Sequence, residues 1–157
     1  MNSALKLFQS TVIASASIIV MNVIGSYVSA IGAGMACPDW PLCPFPENYL
    51  VLMEFLHRVW GLVVIGAIAL TVLRARSLEN LRELRLAKLL VNMSLLVVLI
   101  QVGLGAVVVF SGLRPEFVAT HQLLAQLTLS LQVFASGLSW VAAGRLVEVG
   151  EARRSTQ

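Results

Sequence analysis

Charge is scarce in this chain. Only 12% of its 157 residues are Asp, Glu, Lys or Arg, about half the roughly 25% of a soluble domain. Histidine occurs twice, at His57 and His121, and cysteine twice, at Cys37 and Cys43. Each shortage excludes something. So few charges cannot cover a water-facing surface, and no folded basic surface exists for nucleic acid. Few carboxylates fall in apolar stretches, so a di-metal carboxylate site is ruled out. One widely spaced cysteine pair lacks the Cys-x-x-Cys and second relay pair of a disulfide-generating quinone reductase.

What is present is apolar sequence. The chain is 58% hydrophobic, with mean hydropathy +0.87. Four segments, at about 8–32, 50–73, 89–111 and 117–143, reach or exceed the roughly 20 residues a bilayer crossing needs. They predict an all-α polytopic membrane protein, a four-transmembrane-helix bundle forming a single domain over 1–157. The first segment is too long for a signal-peptide core and is read as a retained helix. Nine of the eleven basic residues fall at the termini or in the middle loop, 74–88. Only Arg58 and Arg114 lie toward the other side. By the positive-inside rule both termini and the middle loop are expected to be cytoplasmic, and the net charge of +3 reflects topology. That leaves the first loop, 33–49, outside. It holds both cysteines, where a disulfide is permitted and would stabilise by about 2 kcal/mol.

The first helix carries Ser15, Asn22, Ser26 and Ser29, read as one polar stripe facing the bundle interior. The outer loop, Gly32 to Tyr49, has four prolines in nine residues, which prevents regular structure. It is either a rigid lid over something held below or a plain structured turn. Its Trp40, Phe45 and Tyr49 suit the interface belt. The middle loop mixes arginines with Glu79 and Glu83 and reads as a topology signal with an amphipathic turn. In the third helix Gln101 and Gly105 share a face, where glycine permits close approach of a helix or a flat ligand. A weak echo links the two helix pairs: each has Gly-x-Gly upstream and a histidine early in its second helix.

The chemistry-bearing residues are Glu54, His57 and Arg58. Spaced three and four apart, they share one helical face in a stretch otherwise suited to lipid. Ionisable groups at membrane depth are costly and mark functional sites. His57 lies roughly 10 Å below the outer surface at 1.5 Å per residue, and His121 enters from the same side at similar depth. Two neutral imidazoles opposed across a bundle suit axial ligation of haem iron. The plainer alternative is interhelical hydrogen bonding. A structural zinc site would need two further ligands between the helices. Glu54 forms either a salt bridge to Arg58 or a base or nucleophile beside a haem edge. Arg58 and Arg114 are each candidates for a haem propionate.

Four stretches now resemble one family, haem A synthase. They are Gly32-Ala33-Gly34-Met35-Ala36-Cys37-Pro38-Asp39-Trp40-Pro41-Leu42-Cys43, Glu54-Phe55-Leu56-His57-Arg58-Val59-Trp60-Gly61, Gln101-Val102-Gly103-Leu104-Gly105-Ala106-Val107-Val108-Val109 and Ala119-Thr120-His121-Gln122-Leu123-Leu124-Ala125. The cysteine loop and the Glu-x-x-His-Arg motif together are highly specific. The resemblance implies an oxidoreductase that converts a methyl group of haem O, its substrate, to the formyl of haem A for terminal haem–copper oxidases. It implies haem iron on His57 and His121, Glu54 acting beside the substrate methyl, and a Cys37–Cys43 disulfide. The basic-residue asymmetry places the haem site and disulfide loop toward the extracytoplasmic side of a cell membrane, and the resemblance makes haem O synthase and the terminal oxidase candidate partners. Family members usually carry eight helices, two such units, one with the substrate site and one with a haem b site. This chain has one unit, so either it assembles as a homo-oligomer or one site serves both roles. It also has Ser29 and Ile31 where the family often has arginine and threonine. Two competing classes remain: a bis-histidine membrane b-type cytochrome, and a haem-binding assembly factor without catalysis.

Overall fold

A computed structural model describes residues 3–43, 45–76 and 82–155. It contains four long helices: α1 (Ser3–Ala30), α2 (Tyr49–Arg76), α3 (Arg82–Phe110) and α4 (Pro115–Ser155). A single 3-10 turn, Ala33–Met35, follows α1. No strand occurs among the described residues. All four helices are long and apolar enough to cross a membrane, and they form an all-α bundle as expected. The helices outrun the apolar spans: α3 begins at Arg82 and α4 runs to Ser155. Hydropathy marks the lipid-facing length, whereas helical hydrogen bonding continues into polar flanks. Within the middle loop, Glu79 lies outside the described residues.

Local chemistry sets the ends near the two loops. Asn48 accepts the Val51 amide on Oδ1 at 3.1 Å and so caps α2, as a short polar side chain does at a helix start. Gly112 adopts φ 70 just past α3. Its amide donates to the Val109 carbonyl at 3.0 Å, and the Leu113 amide donates to that of Val108 at 3.0 Å. This crossed pair is a Schellman ending, which requires the left-handed conformation glycine tolerates. Pro115 then opens α4, where its missing N–H costs nothing.

Sequence neighbours pack side by side, and α1 closes the ring against α4. Most buried apolar side chains lie in the half away from these loops. One cluster there joins Ala4, Leu7, Val72, Ala75, Leu84, Ala87, Val91, Ala135, Ala142 and Ala143. A second, at mid-depth, joins Ala14, Ile18, Val64, Ile68 and Val98. Small residues dominate because, in lipid, helices associate through close packing and interhelical hydrogen bonds rather than a hydrophobic drive. Such a bond sits among them: Gln132 Nε2 donates to Ser94 Oγ at 2.7 Å and lies 3.5 Å from Thr71 Oγ1, linking α4, α3 and α2.

The serine stripe of α1 does not face inward as a unit. Ser15 is buried and donates back to the Thr11 carbonyl, but Ser26 and Ser29 are exposed. The buried face of α1 runs Ala4, Leu7, Thr11, Ala14, Ile18 and reaches Val28. Ser26 and Ser29 project within about 40° of Ser15 at 100° per residue, but they lie in the loop-side half of α1, where few side chains are buried. Depth along the helix, rather than angle around it, decides which of these serines is covered.

Candidate functional site

The helix register brings the titratable residues to one level. His57 lies eight residues into α2 and His121 six into α4, so ~12 and ~9 Å from the helix ends beside the loops at 1.5 Å per residue. Both imidazoles are half-buried and within electrostatic reach of one another. Each has a buried Nδ1 with no hydrogen-bond partner. That pattern argues against the plainer reading of an interhelical hydrogen bond between them. Gln101 on α3 donates through Nε2 to the backbone carbonyl of His121 at 2.8 Å, so it holds the helix at that point rather than the ring.

One turn nearer the loops, Glu54 is buried, 5% exposed. Arg58 Nε donates to its Oε1 at 3.0 Å. The rest of the guanidinium is taken up by the cysteine loop. Nη2 donates to the Cys37 carbonyl at 2.7 Å. Nη1 donates to the carbonyls of Asp39, Leu42 (2.8 Å) and Pro41 (3.4 Å). A planar five-donor fork is suited to such a divergent set. Arg58 therefore neutralises a buried carboxylate and clamps the loop over it. Of the two partners left open by the sequence, Glu54 is the one it contacts here.

Cys37 and Cys43 are joined as a disulfide with Cα atoms 5.2 Å apart. Their sulfurs lie 3.9 and 4.0 Å from the Val51 carbonyl oxygen, one helical turn from Glu54. The loop thus sits directly on the first turns of α2 and is more than a plain connector. Leu113, from the other loop on this side, packs near Gly34: a Cβ there would come 3.2 Å from its Cδ2. Arg114 stands outermost. It is ion-paired with Glu116, its guanidinium lies 5.6 Å from the Phe117 ring centroid, and it remains largely exposed.

Sequence reasoning missed one residue. Gly25 of α1 lies against His57, where a Cβ would stand 2.9 Å from the ring carbon Cε1. Gly105 of α3, noted for its spacing from Gln101, holds the matching place against His121, with a Cβ-to-Cε1 distance of 3.4 Å. Gly25 lies in neither Gly-x-Gly, so its signal was only a glycine inside a long apolar helix. No group of three or more His, Cys, Asp or Glu able to hold a metal ion occurs among the described residues. A haem needs only two axial side chains. Two imidazoles at one depth, each with a partnerless buried nitrogen and a flat glycine surface behind it, fit that group.

Fold and site together define a multi-pass membrane bundle with a paired-histidine site beneath a disulfide loop. The chain belongs to the COX15-CtaA family, described as cytochrome oxidase assembly protein, which matches residues 46–133. Among curated proteins it is 34% identical over 127 residues to Heme A synthase of Bacillus pumilus, covering 77% of this chain and 40% of that one. It is 29% identical over 147 residues to Heme A synthase of Alkalihalophilus pseudofirmus, covering 89% and 48%. It is 25% identical over 112 residues to that of Macrococcus caseolyticus, covering 68% and 37%. The chain thus spans less than half the length of these relatives. No solved structure matches it.

Proposed function

We propose that this chain forms haem A synthase, oxidising the methyl group of haem O to the formyl group of haem A for terminal haem–copper oxidases. The observation that carries this reading is the buried Glu54 one turn from a histidine pair whose Nδ1 atoms have no protein partner. A membrane cytochrome that only moves electrons has no need of a buried carboxylate clamped under a disulfide loop. The family match and the names of the relatives support the same chemistry.

In this reading His57 and His121 would hold the haem iron, whether of haem b or of the substrate haem O. When bound, the haem iron supplies the redox chemistry. The chain's own residues do the rest. Arg58 fixes Glu54 through Oε1, which leaves Oε2 as the atom that accepts a proton from the substrate side. A fixed base at a reacting centre contributes on the order of 10²–10⁴ in rate. The loop, held down by Arg58 and the disulfide, excludes water from this level. Arg114, exposed at the mouth, is the better placed of the two arginines for a propionate, because all three guanidinium nitrogens of Arg58 are engaged. The distribution of basic residues supports cytoplasmic termini, a site toward the extracytoplasmic face and a cell-membrane location. A homo-oligomer in which two such four-helix units supply two haem sites is part of this proposal, with haem O synthase and the oxidase as neighbours.

Co-expression with a haem O source, followed by pigment extraction, tests the reading. Haem A is expected from the parent protein. Glu54→Ala is expected to keep bound haem and lose haem A formation by about 100-fold or more. A folded, haem-loaded parent that yields no haem A would leave only a cytochrome or an assembly factor. Unchanged haem A formation in Glu54→Ala would remove the carboxylate from the mechanism.

A further inference from the structure

We propose that Gly25 and Gly105 are positioning residues, each a backbone seat that sets the ring plane of the histidine on the following helix. The inference rests on reading His57 and His121 as axial haem ligands.

Both contacts meet the same ring atom. A Cβ on Gly25 would lie 2.9 Å from His57 Cε1, 3.4 Å from Nδ1 and 4.0 Å from Nε2. A Cβ on Gly105 would lie 3.4 Å from His121 Cε1. Each glycine is five residues from the end of its helix, ~8 Å from the loops at 1.5 Å per residue, so the two seats share one level. At His57 the ring rests on its Cε1–Nδ1 side, which leaves Nε2 as the nitrogen furthest from the helix. Nδ1 of a ligating imidazole usually donates a hydrogen bond that fixes the ring. Here both Nδ1 atoms are buried without a protein partner. Steric seating on bare backbone is what remains to hold the planes.

The arrangement is not a general consequence of glycine in these helices. Gly66, Gly103 and Gly137 have nothing within 4 Å of an added Cβ. Of the described glycines within the four long helices whose added Cβ would meet a neighbour, Gly61 faces Met21, and Gly25 and Gly105 each face an imidazole, so those two share a local reason for carrying no side chain. Room for the ring supplies it. At Gly25 a methyl group forces the imidazole to move. At Gly105 the methyl group would meet the ring at 3.4 Å, the near edge of ordinary van der Waals contact. The two seats should therefore differ in severity.

The test uses purified haem-loaded protein and two readouts besides activity: the low-temperature EPR spectrum of the low-spin haem, and the fraction of haem retained through purification. The largest g-value depends on the angle between axial imidazole planes. Gly25→Ala is expected to shift it and to weaken haem retention about tenfold, the lower end of what outer-shell changes cost. Gly105→Ala is expected to shift it less, with retention near that of the parent. Gly66→Ala and Gly103→Ala are expected to leave both readouts unchanged. Should Gly25→Ala fail to fold, Gly105→Ala carries the test. Parent-like g-values in Gly105→Ala, and in Gly25→Ala where it folds, would overturn the seating while leaving the ligands in place. Retention of the parent low-spin signal in His57→Ala and His121→Ala would instead overturn the ligation itself, and the seats with it.

Discussion

The two halves of this bundle are built for different purposes. Away from the loops, the space between helices is filled by alanine, valine and leucine, and the Gln132 amide nitrogen there ties three helices together, although its Oε1 has no partner. Beside the loops, few apolar side chains are buried: Val28, Ala33 and Val109, with Cys37 in the disulfide. There the interior is lined by glycine backbone, two imidazoles with partnerless nitrogens and one paired carboxylate. The same four helices run through both halves, so the difference comes from side chains and not from topology. One end holds the helices together, and the other is left to hold something else.

This division can be broken from either side. The largest effect is expected at the loop-side histidines. His57→Ala or His121→Ala should abolish stable haem binding, measured by pyridine haemochrome on purified protein, while the helical circular dichroism persists because the packed half is untouched. Loss of helix together with haem would mean that the site also holds the fold. Removing the disulfide should be milder. Cys37→Ala with Cys43→Ala should lower stability by about 2 kcal/mol for so short a loop, read as an earlier thermal transition in detergent, and should make the Glu54 region more accessible to hydrogen exchange. An unchanged exchange pattern would show that Arg58 alone secures the loop. The smallest effect belongs to the packed half. Gln132→Ala should cost about 1 kcal/mol, in the range of measured interhelical hydrogen bonds in membranes, and leave the haem spectrum unchanged. A spectral shift there would show the two halves to be coupled.

Much of this was legible beforehand because membrane insertion simplifies the code. With no water to satisfy the backbone, apolar runs of sufficient length become helices, and four were readable as such. Glu54, His57 and Arg58 stood out because ionisable groups are expensive in that setting. Other features were not legible. The serine stripe of α1 suggested an inward face, yet Ser26 and Ser29 are exposed, because they lie in the loop-side half of the helix, where few side chains are buried. Arg58 had two plausible partners at the level of sequence. Its carbonyl contacts come from residues sixteen to twenty-one positions away, in a loop whose path no periodicity describes. Gly25 was invisible because its role is defined by His57, thirty-two residues later, and glycine carries no side chain to advertise a contact.

The sequence by itself determined the helices, their number and the chemical identity of the site residues, since these follow from hydropathy, spacing and residue type read locally. Only the tertiary structure decided which donors of Arg58 meet which carbonyls, which histidine nitrogens lack partners, and which glycines lie under which rings. Those are distances between elements remote in the chain, fixed by how four helices rotate and slide against one another as they pack.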